Sequence, residues 1–518
     1  MARPLLLPGG MSHRRATFAF TIALAAGCTS HTLEAPAIRP AVTVTNVQTY
    51  RQNNKLDLLF MVDDSSSMDK MQAKLKEQLP LFMQVLQQAG GLPDIHIAVV
   101  SSDMGAPSDV SINSCTRYGD QGAFRAAAQD TCLSTTLAPG ATFLSSSGGT
   151  ANFTGQISDV FQCIALLGSK GCGFENQLAS IDRALGADGQ GPPPAQNAGF
   201  LRDDAILAIV LLTNEDDCSA PPNTKVYSDN GNPESLANPL GPVSGGFRCN
   251  RYGHLCTDPT TGAKGVMPPL TPTSDATGSP PILNLTHCES NDTDSGMLTP
   301  VHKFISDIRA LKTDPDHQIL VAAIMAPAAP YAVTWAPAPK GSPAGEQWPE
   351  VMHSCGAAGG DDVNPATTDL ISDGSFGDPG VRISKFLNGF SDSVTASICA
   401  PSYAGALTVI ANRITQKFSP PCLTGRIART ATGTPDCTVV DRLFDATDGI
   451  WSNQPLRNCD DTGNKTPCWK LDAPATDSKC TGQVLTVNES DANKGAETIE
   501  RTLECSVCAP GSDQPGCQ

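Results

Sequence analysis

An α/β fold, with a doubly wound, mostly parallel sheet and helices on both faces, is what this sequence predicts, and three observations predict it. Near-continuous apolar runs such as Leu56–Val62 and Ala205–Leu212 have the pattern of strands covered on both faces. Segments with apolar residues at steps of three and four have the pattern of one buried helix face. The two patterns alternate along the chain, as parallel sheets with crossover helices require. Composition permits this fold: 40% of the 518 residues are hydrophobic and 17% are charged, enough for a core and too apolar for wholesale disorder. A net charge of −17 argues against a nucleic-acid partner, because phosphate contacts need clustered Lys and Arg.

The elements follow in order. Residues 1–28 read as a targeting signal: His13, Arg14 and Arg15 precede the apolar stretch Ala16–Ala26, which is too short to span a bilayer. Residues 29–54 hold Pro36, Pro40 and several Thr with no helical period, and read as a tether. After the strand Leu56–Val62, the residues Met68, Met71, Leu75, Leu79, Phe82, Leu86 and Ala89 predict a helix, with Pro80 expected to kink it. Ile95–Val100 is a second strand, in which His96 reads as structural. A helix carries Phe174, Leu178, Ile181 and Leu185, and Ala205–Leu212 is the strongest strand. Thr299 and Pro300 read as N-cap and first residue of the next helix. Gln318–Met325 is a strand, and helices are expected over Val381–Phe390 and Tyr403–Phe418.

Three connections, at about 104–170, 218–298 and 326–380, are long, rich in Gly, Pro and Ser, and hold many of the cysteines. They read as insertions in a domain spanning 55–420. Residues 421–518 lack helical periodicity and are punctuated by cysteines, which predicts a small, β-leaning, disulfide-stapled module. There are 19 cysteines, an odd number that suits an oxidising compartment with one residue set apart. Among sequence-near pairs, Cys115 with Cys132 and Cys163 with Cys172 are candidate disulfides.

The strongest strands end in hard oxygen donors. The first runs into Asp63-Asp64-Ser65-Ser66-Ser67, the second into Ser101-Ser102-Asp103, and the third into Thr213-Asn214-Glu215-Asp216-Asp217. In open α/β sheets ligands bind beyond the carboxyl ends of strands. Clustered carboxylates and hydroxyls suit Mg²⁺, Mn²⁺ or Ca²⁺.

Two resemblances sharpen this reading. Leu24-Ala25-Ala26-Gly27-Cys28 resembles a bacterial lipobox, which implies lipidation at Cys28 and an even set of 18 cysteines for disulfides. Thr29 differs from an inner-membrane retention signal, which implies the outer membrane. Asp63-Asp64-Ser65-Ser66-Ser67-Met68 after an apolar strand resembles the DxSxS motif of von Willebrand factor type A domains, over roughly residues 55–420. The resemblance implies a metal-ion-dependent adhesion site in which Asp63, Ser65 and Ser67 supply a carboxylate and two hydroxyls. The acidic residue of the family's later loop falls at Asn214, with Asp216 as a substitute. The family's Thr ligand is missing from Gly171-Cys172-Gly173-Phe174-Glu175, where Glu175 is the available donor. Such a site implies a protein or glycan partner, engaged through the ion by an acidic side chain. Taken together the resemblances imply a lipid-anchored, non-enzymatic adhesion protein of the cell envelope.

Two other readings stay open at this level. One is a disulfide-hardened envelope scaffold with a vestigial metal site, consistent with Asn214 and the missing Thr. The other is an enzyme: a thiol oxidoreductase using Cys505 and Cys508, or a hydrolase.

Overall fold

The computed structural model describes residues 44–51, 55–88, 94–106, 115–126, 137–222, 224–227, 245–270, 281–293, 297–337, 347–360, 362–418, 422–445, 450–463, 465–473, 482–488, 499–509, 511–512 and 516–517. The expected signal stretch with Cys28, most of the expected tether, and Cys132 lie outside them. Among the described residues no helix is long and apolar enough to cross a membrane.

A mixed α/β architecture with a mostly parallel sheet is what the chain adopts. Seven strands build the main sheet: β1 (Lys55–Val62), β2 (Asp94–Ser101), β3 (Leu144–Ser147), β4 (Thr150–Ala151), β5 (Ile206–Leu212), β6 (Ile319–Met325) and β7 (Ser393–Ser397), in the order β7-β6-β5-β1-β2-β3-β4. The first five in that order run parallel, and β3 and β4 add an antiparallel edge. Every residue of β5 and β6 is buried, which is why those strands read as unbroken apolar runs.

Helices cover both faces. Leu56, Leu58, Phe60 and Val62 of β1 face a core shared with α1 (Asp69–Gln88), α2 (Ile157–Ile164) and α6 (Ala404–Phe418). Leu59 and Met61 face the opposite core, with α3 (Gln177–Leu185), α4 (Val301–Ala310) and α5 (Val381–Leu387). Alternation along one strand thus feeds two cores. Pro80 lies inside α1 as expected. The expected cap of α4 is corrected. Pro300, not Thr299, occupies the N-cap without a side-chain bond, and Asp292 accepts the Val301 N–H at 2.9 Å from a distant loop.

Described residues of the 218–298 and 326–380 connections form strands rather than loops alone. His254–Thr257, Leu283–Ser290, Tyr331–Pro337 and Gln347–Val351 form an antiparallel four-stranded sheet. It has its own core of Phe247, Leu285, Tyr331, Val333, Trp335 and Val351, joined by Val381 at the start of α5.

Cysteine pairing corrects both candidate disulfides. Cys115 bonds Cys172, so neither Cys115–Cys132 nor Cys163–Cys172 exists. Cys163 is disulfide-bonded to another residue. The spacing argument fails because the chain folds Cys115 back against a loop 57 residues later. Further bonds join Cys218 to Cys249, Cys256 to Cys288 and Cys355 to Cys399.

The C-terminal region is β-rich, with seven strands in one sheet. Its edge strand is Val44–Arg51, paired antiparallel with Ile499–Val507 along its whole length. The end of the expected tether is therefore strand. Val44, Thr45, Val47 and Thr49 are β-branched and favour extended backbone once an open edge offers hydrogen bonds. Cys505 bonds Cys437 and Cys508 bonds Cys517, so the CxxC pair is not a joined dithiol. Arg501 and Asp441 form a buried pair, with Nη2 to Oδ2 at 2.7 Å.

Candidate functional site

Register brings the donor loops together. Val62 pairs with Ser101 on one side and Leu212 on the other, so β1, β2 and β5 end at one level. Asp63, Ser102 and Thr213 meet there. Asp63 is fully buried. Its Oδ1 accepts from the Ser65 N–H at 2.8 Å and from Ser102 Oγ at 3.3 Å, and its Oδ2 accepts from Thr213 Oγ1 at 2.7 Å. Burial raises its pKa, and those hydrogen bonds oppose the rise.

In front of Asp63 three neutral oxygens form a chain. Ser65 Oγ lies 3.3 Å from Ser67 Oγ, and Ser67 Oγ donates to Asn214 Oδ1 at 3.1 Å. Neighbouring ligand oxygens on an octahedral cation with bonds of about 2.1–2.4 Å stand roughly 3.0–3.4 Å apart. The donor set therefore has the spacing of a site for a hard divalent ion. Asn214 Nδ2 is buried without a partner among the described residues. Among the described residues no group of three or more His, Cys, Asp or Glu side chains converges as a metal cage. Any cage here is built largely from hydroxyl and amide oxygens.

Asp216 is corrected. It turns away from Ser65 and Ser67. Its Oδ2 accepts from His254 Nε2 at 2.7 Å and from the Arg382 N–H at 2.8 Å, and its Oδ1 accepts from the Ile383 N–H at 3.1 Å. The carboxylate satisfies the N-terminal donors of α5, where the helix dipole also favours it. Burial opposes ionisation, yet His254 and Arg382 hold its pKa below the usual value. His254 also bonds Tyr331, at 2.9 Å from Nδ1 to the hydroxyl, so this buried relay docks the insertion sheet on the main sheet. Asp217 does similar work, accepting from the Leu178 N–H at 2.9 Å and pairing with Arg382 at 2.9 Å.

The middle loop supplies Glu175 next to the donors. It is buried, and the half-buried Glu215 lines the same cavity. Burial, then the charges of Glu215 and Asp63, push Glu175 well above the carboxylate range. Burial, then Asp378 and Asp63, push Glu215 up to about 8. Asp64 is pushed to about 8 by burial, then by Asp63, Asp103 and Asp120. Gly171 donates its N–H to the Asp64 carbonyl at 2.7 Å, and a Cβ there would collide with the Asp64 carboxylate. The Cys115–Cys172 bond anchors this approach beside it.

Ser65 and Ser66 open into a cavity of about 460 Å³. Glu175 and Glu215 line its floor, while Glu350, His353, Asp362 and Asp378 come from the 326–380 insertion. His353 is held between Asp378 (2.6 Å) and Asp362 (3.2 Å) and stacks on Phe376 at 4.3 Å between ring centroids. Burial lowers its basicity, but the Asp378 bond and the surrounding carboxylates raise its pKa overall. Sequence reasoning missed this wall because nothing in the insertion repeats or alternates. Thr213 stood in the third donor run, and strand register gives it its place, since Thr213 follows Leu212 as Asp63 follows Val62.

No protein-family model and no curated protein matches the chain. Among solved structures it is similar to the pilus adhesin SpaC from Lactobacillus rhamnosus GG in its open conformation, with a TM-score of 0.30 and 11% identity over 91% of this chain and 41% of that one. It is also similar to the pilus adhesin RrgA from Streptococcus pneumoniae, with a TM-score of 0.25 and 10% identity over 89% of this chain and 58% of that one. The chain thus spans well under two thirds of either adhesin. Scores this low carry no argument about fold or function.

Proposed function

We propose that this is a lipid-anchored, non-enzymatic binding protein of the bacterial cell envelope, held at Cys28, on the outer membrane. Its 55–420 region is read as a doubly wound domain of the von Willebrand factor type A kind, which engages a protein or glycan partner through a divalent ion. The observation that carries this reading is the chain of oxygens from Ser65 through Ser67 to Asn214, set over the buried carboxylate of Asp63 at the ends of adjacent parallel strands. Ser65, Ser67 and Asn214 would hold Mg²⁺, Mn²⁺ or Ca²⁺, with Asp63 supplying charge behind them. When bound, the ion offers an open coordination position to an oxygen of the partner. Asp63 fixes the Ser65 backbone, and Thr213 and Ser102 fix Asp63, so both hydroxyls stay on one side of the loop.

Isothermal titration of chelator-treated protein with Mg²⁺ tests this. Saturable binding is expected, and Asp63→Ala should weaken it about tenfold or more. A wild-type chain that binds none of Mg²⁺, Mn²⁺ and Ca²⁺ removes the mechanism. A second reading, a structural scaffold, draws on the fact that Asp63 already has three protein donors. It expects partner capture from envelope extract to be indifferent to chelator, whereas the adhesion reading expects chelator to abolish it.

A further inference from the structure

The cavity over Ser65 and Ser66 is acidic beyond what its own residues neutralise. Glu175, Glu215, Glu350, Asp362 and Asp378 line it, and neither Lys nor Arg is among its lining residues. Among the described residues His353 is its one basic group, already clasped by Asp362 and Asp378. Like charges at this spacing are costly unless a cation enters or protons are retained.

A second, independent feature points the same way. Asn250, on the helix Gly245–Gly253, lines the cavity and is only 6% exposed. Its Nδ2 donates to the Gly246 carbonyl at 3.1 Å, which fixes the amide, and among the described residues its buried Oδ1 has no hydrogen-bond partner. A buried acceptor in that state calls for a donor from outside. The Cys218–Cys249 bond, next to Asn250, holds this helix against the loop that carries Glu215.

We propose that this cavity receives a Lys or Arg side chain of a partner protein, its cationic head among the carboxylates and the Asn250 carbonyl oxygen. Three properties favour an extended cation over a second metal ion. The carboxylates are spread around the wall, and among the described residues no three of them converge on one point. The space, about 460 Å³, is far larger than an ion needs. Phe247 and Val351 give the wall an apolar strip, against which an aliphatic stem packs while its head is hydrogen-bonded. The proposal rests on the binding reading for the occupant being part of a protein, and adds the chemistry by which that partner is chosen.

The test uses the full chain in buffer with EDTA, titrated calorimetrically with N-acetyl-arginine amide and, in parallel, with its uncharged citrulline counterpart. The arginine compound should bind saturably and the citrulline compound about tenfold more weakly or worse. Glu350→Gln and Asn250→Leu should each weaken arginine binding about three- to tenfold, with unfolding midpoints confirming that both variants fold. Equal binding of the two compounds, no saturable arginine binding, or two folded variants with unchanged affinity would each overturn the proposal. Mg²⁺ titration of the same sample without EDTA reports on the metal separately. Arginine binding without Mg²⁺ binding supports the cavity and rejects the ion, and the reverse result rejects the cavity alone.

Discussion

The two ends of the parallel sheet treat buried acids in opposite ways. At the amino end, Asp57 is fully buried inside β1 and is clasped by Arg202, through the backbone N–H at 2.7 Å and Nε at 2.8 Å. The same guanidinium reaches Asp94 at 2.6 Å and the Leu56 carbonyl at 3.0 Å. At the carboxyl end, Asp63 and Glu175 are buried and Glu215 is half-buried, yet among the described residues no Lys or Arg forms an ion pair with any of them. Asp217 with Arg382, and Asp441 with Arg501, repeat the first arrangement elsewhere. Acids that hold the fold together come with an arginine. Asp63, Glu175 and Glu215 do not, although Asp217 in the same strand-end loop does, and that difference, more than acidity itself, marks the site.

The contrast is open to attack by mutation. The largest effect is expected from Arg202→Ala, which strands Asp57 in the core and should cost about 3–5 kcal/mol in denaturant unfolding. Asp63→Asn, measured in EDTA, should cost about 1 kcal/mol or less, because only neutral donors address it. Equal losses would erase the distinction between the two ends.

Asp182 on α3 tests the same idea away from the site. It is buried, feels the charge of Asp307, and has Lys303 no nearer than 3.9 Å. Burial, then the charge of Asp307, raises its pKa to about 7. A folded value above the unfolded one favours the protonated form. This contribution is therefore fully present below about pH 4 and is lost as pH rises toward 7. Asp182→Asn should match the parent near pH 4 and exceed it by up to about 4 kcal/mol at pH 8, as read from unfolding midpoints across pH. A parent curve that is flat between those values would show that Lys303 suffices as a partner.

A smaller change is expected from Gly171→Ala. The added methyl displaces the Asp64 carboxylate and should cost about 1–2 kcal/mol. It should also weaken Mg²⁺ binding, since Asp64 adjoins the Ser65–Ser67 loop. Unchanged Mg²⁺ affinity would detach the middle loop from the site.

Much of the main sheet was legible because its strands are buried on both faces and its helices show one apolar stripe. Leu56–Val62, Ile95–Val100 and Ala205–Leu212 each fall on a strand of the structure. The insertion sheet was illegible for the opposite reason. Leu283–Ser290 alternates weakly, and Gln347–Val351 carries Pro349. Asp63, Ser65, Ser67 and Asn214 were brought together as the motif suggested. Asp216 was not, because a carboxylate after a strand reads alike whether it faces an ion or caps a helix. Its partners, Arg382 and Ile383, lie 166 and 167 residues away. The cavity wall had no signal, since Glu350, His353, Asp362 and Asp378 become neighbours only through the fold.

The edge strand Val44–Arg51 has a mechanical consequence. In a chain tethered ahead of Val44 and pulled through its α/β domain, the load enters along this strand. A strand is already extended, at about 3.3 Å per residue, so tension has almost no slack to draw out of it. Its hydrogen bonds to Ile499–Val507 run across the pull rather than along it. Tension would then travel down the covalent backbone, while the C-terminal sheet rides beside it as a splint.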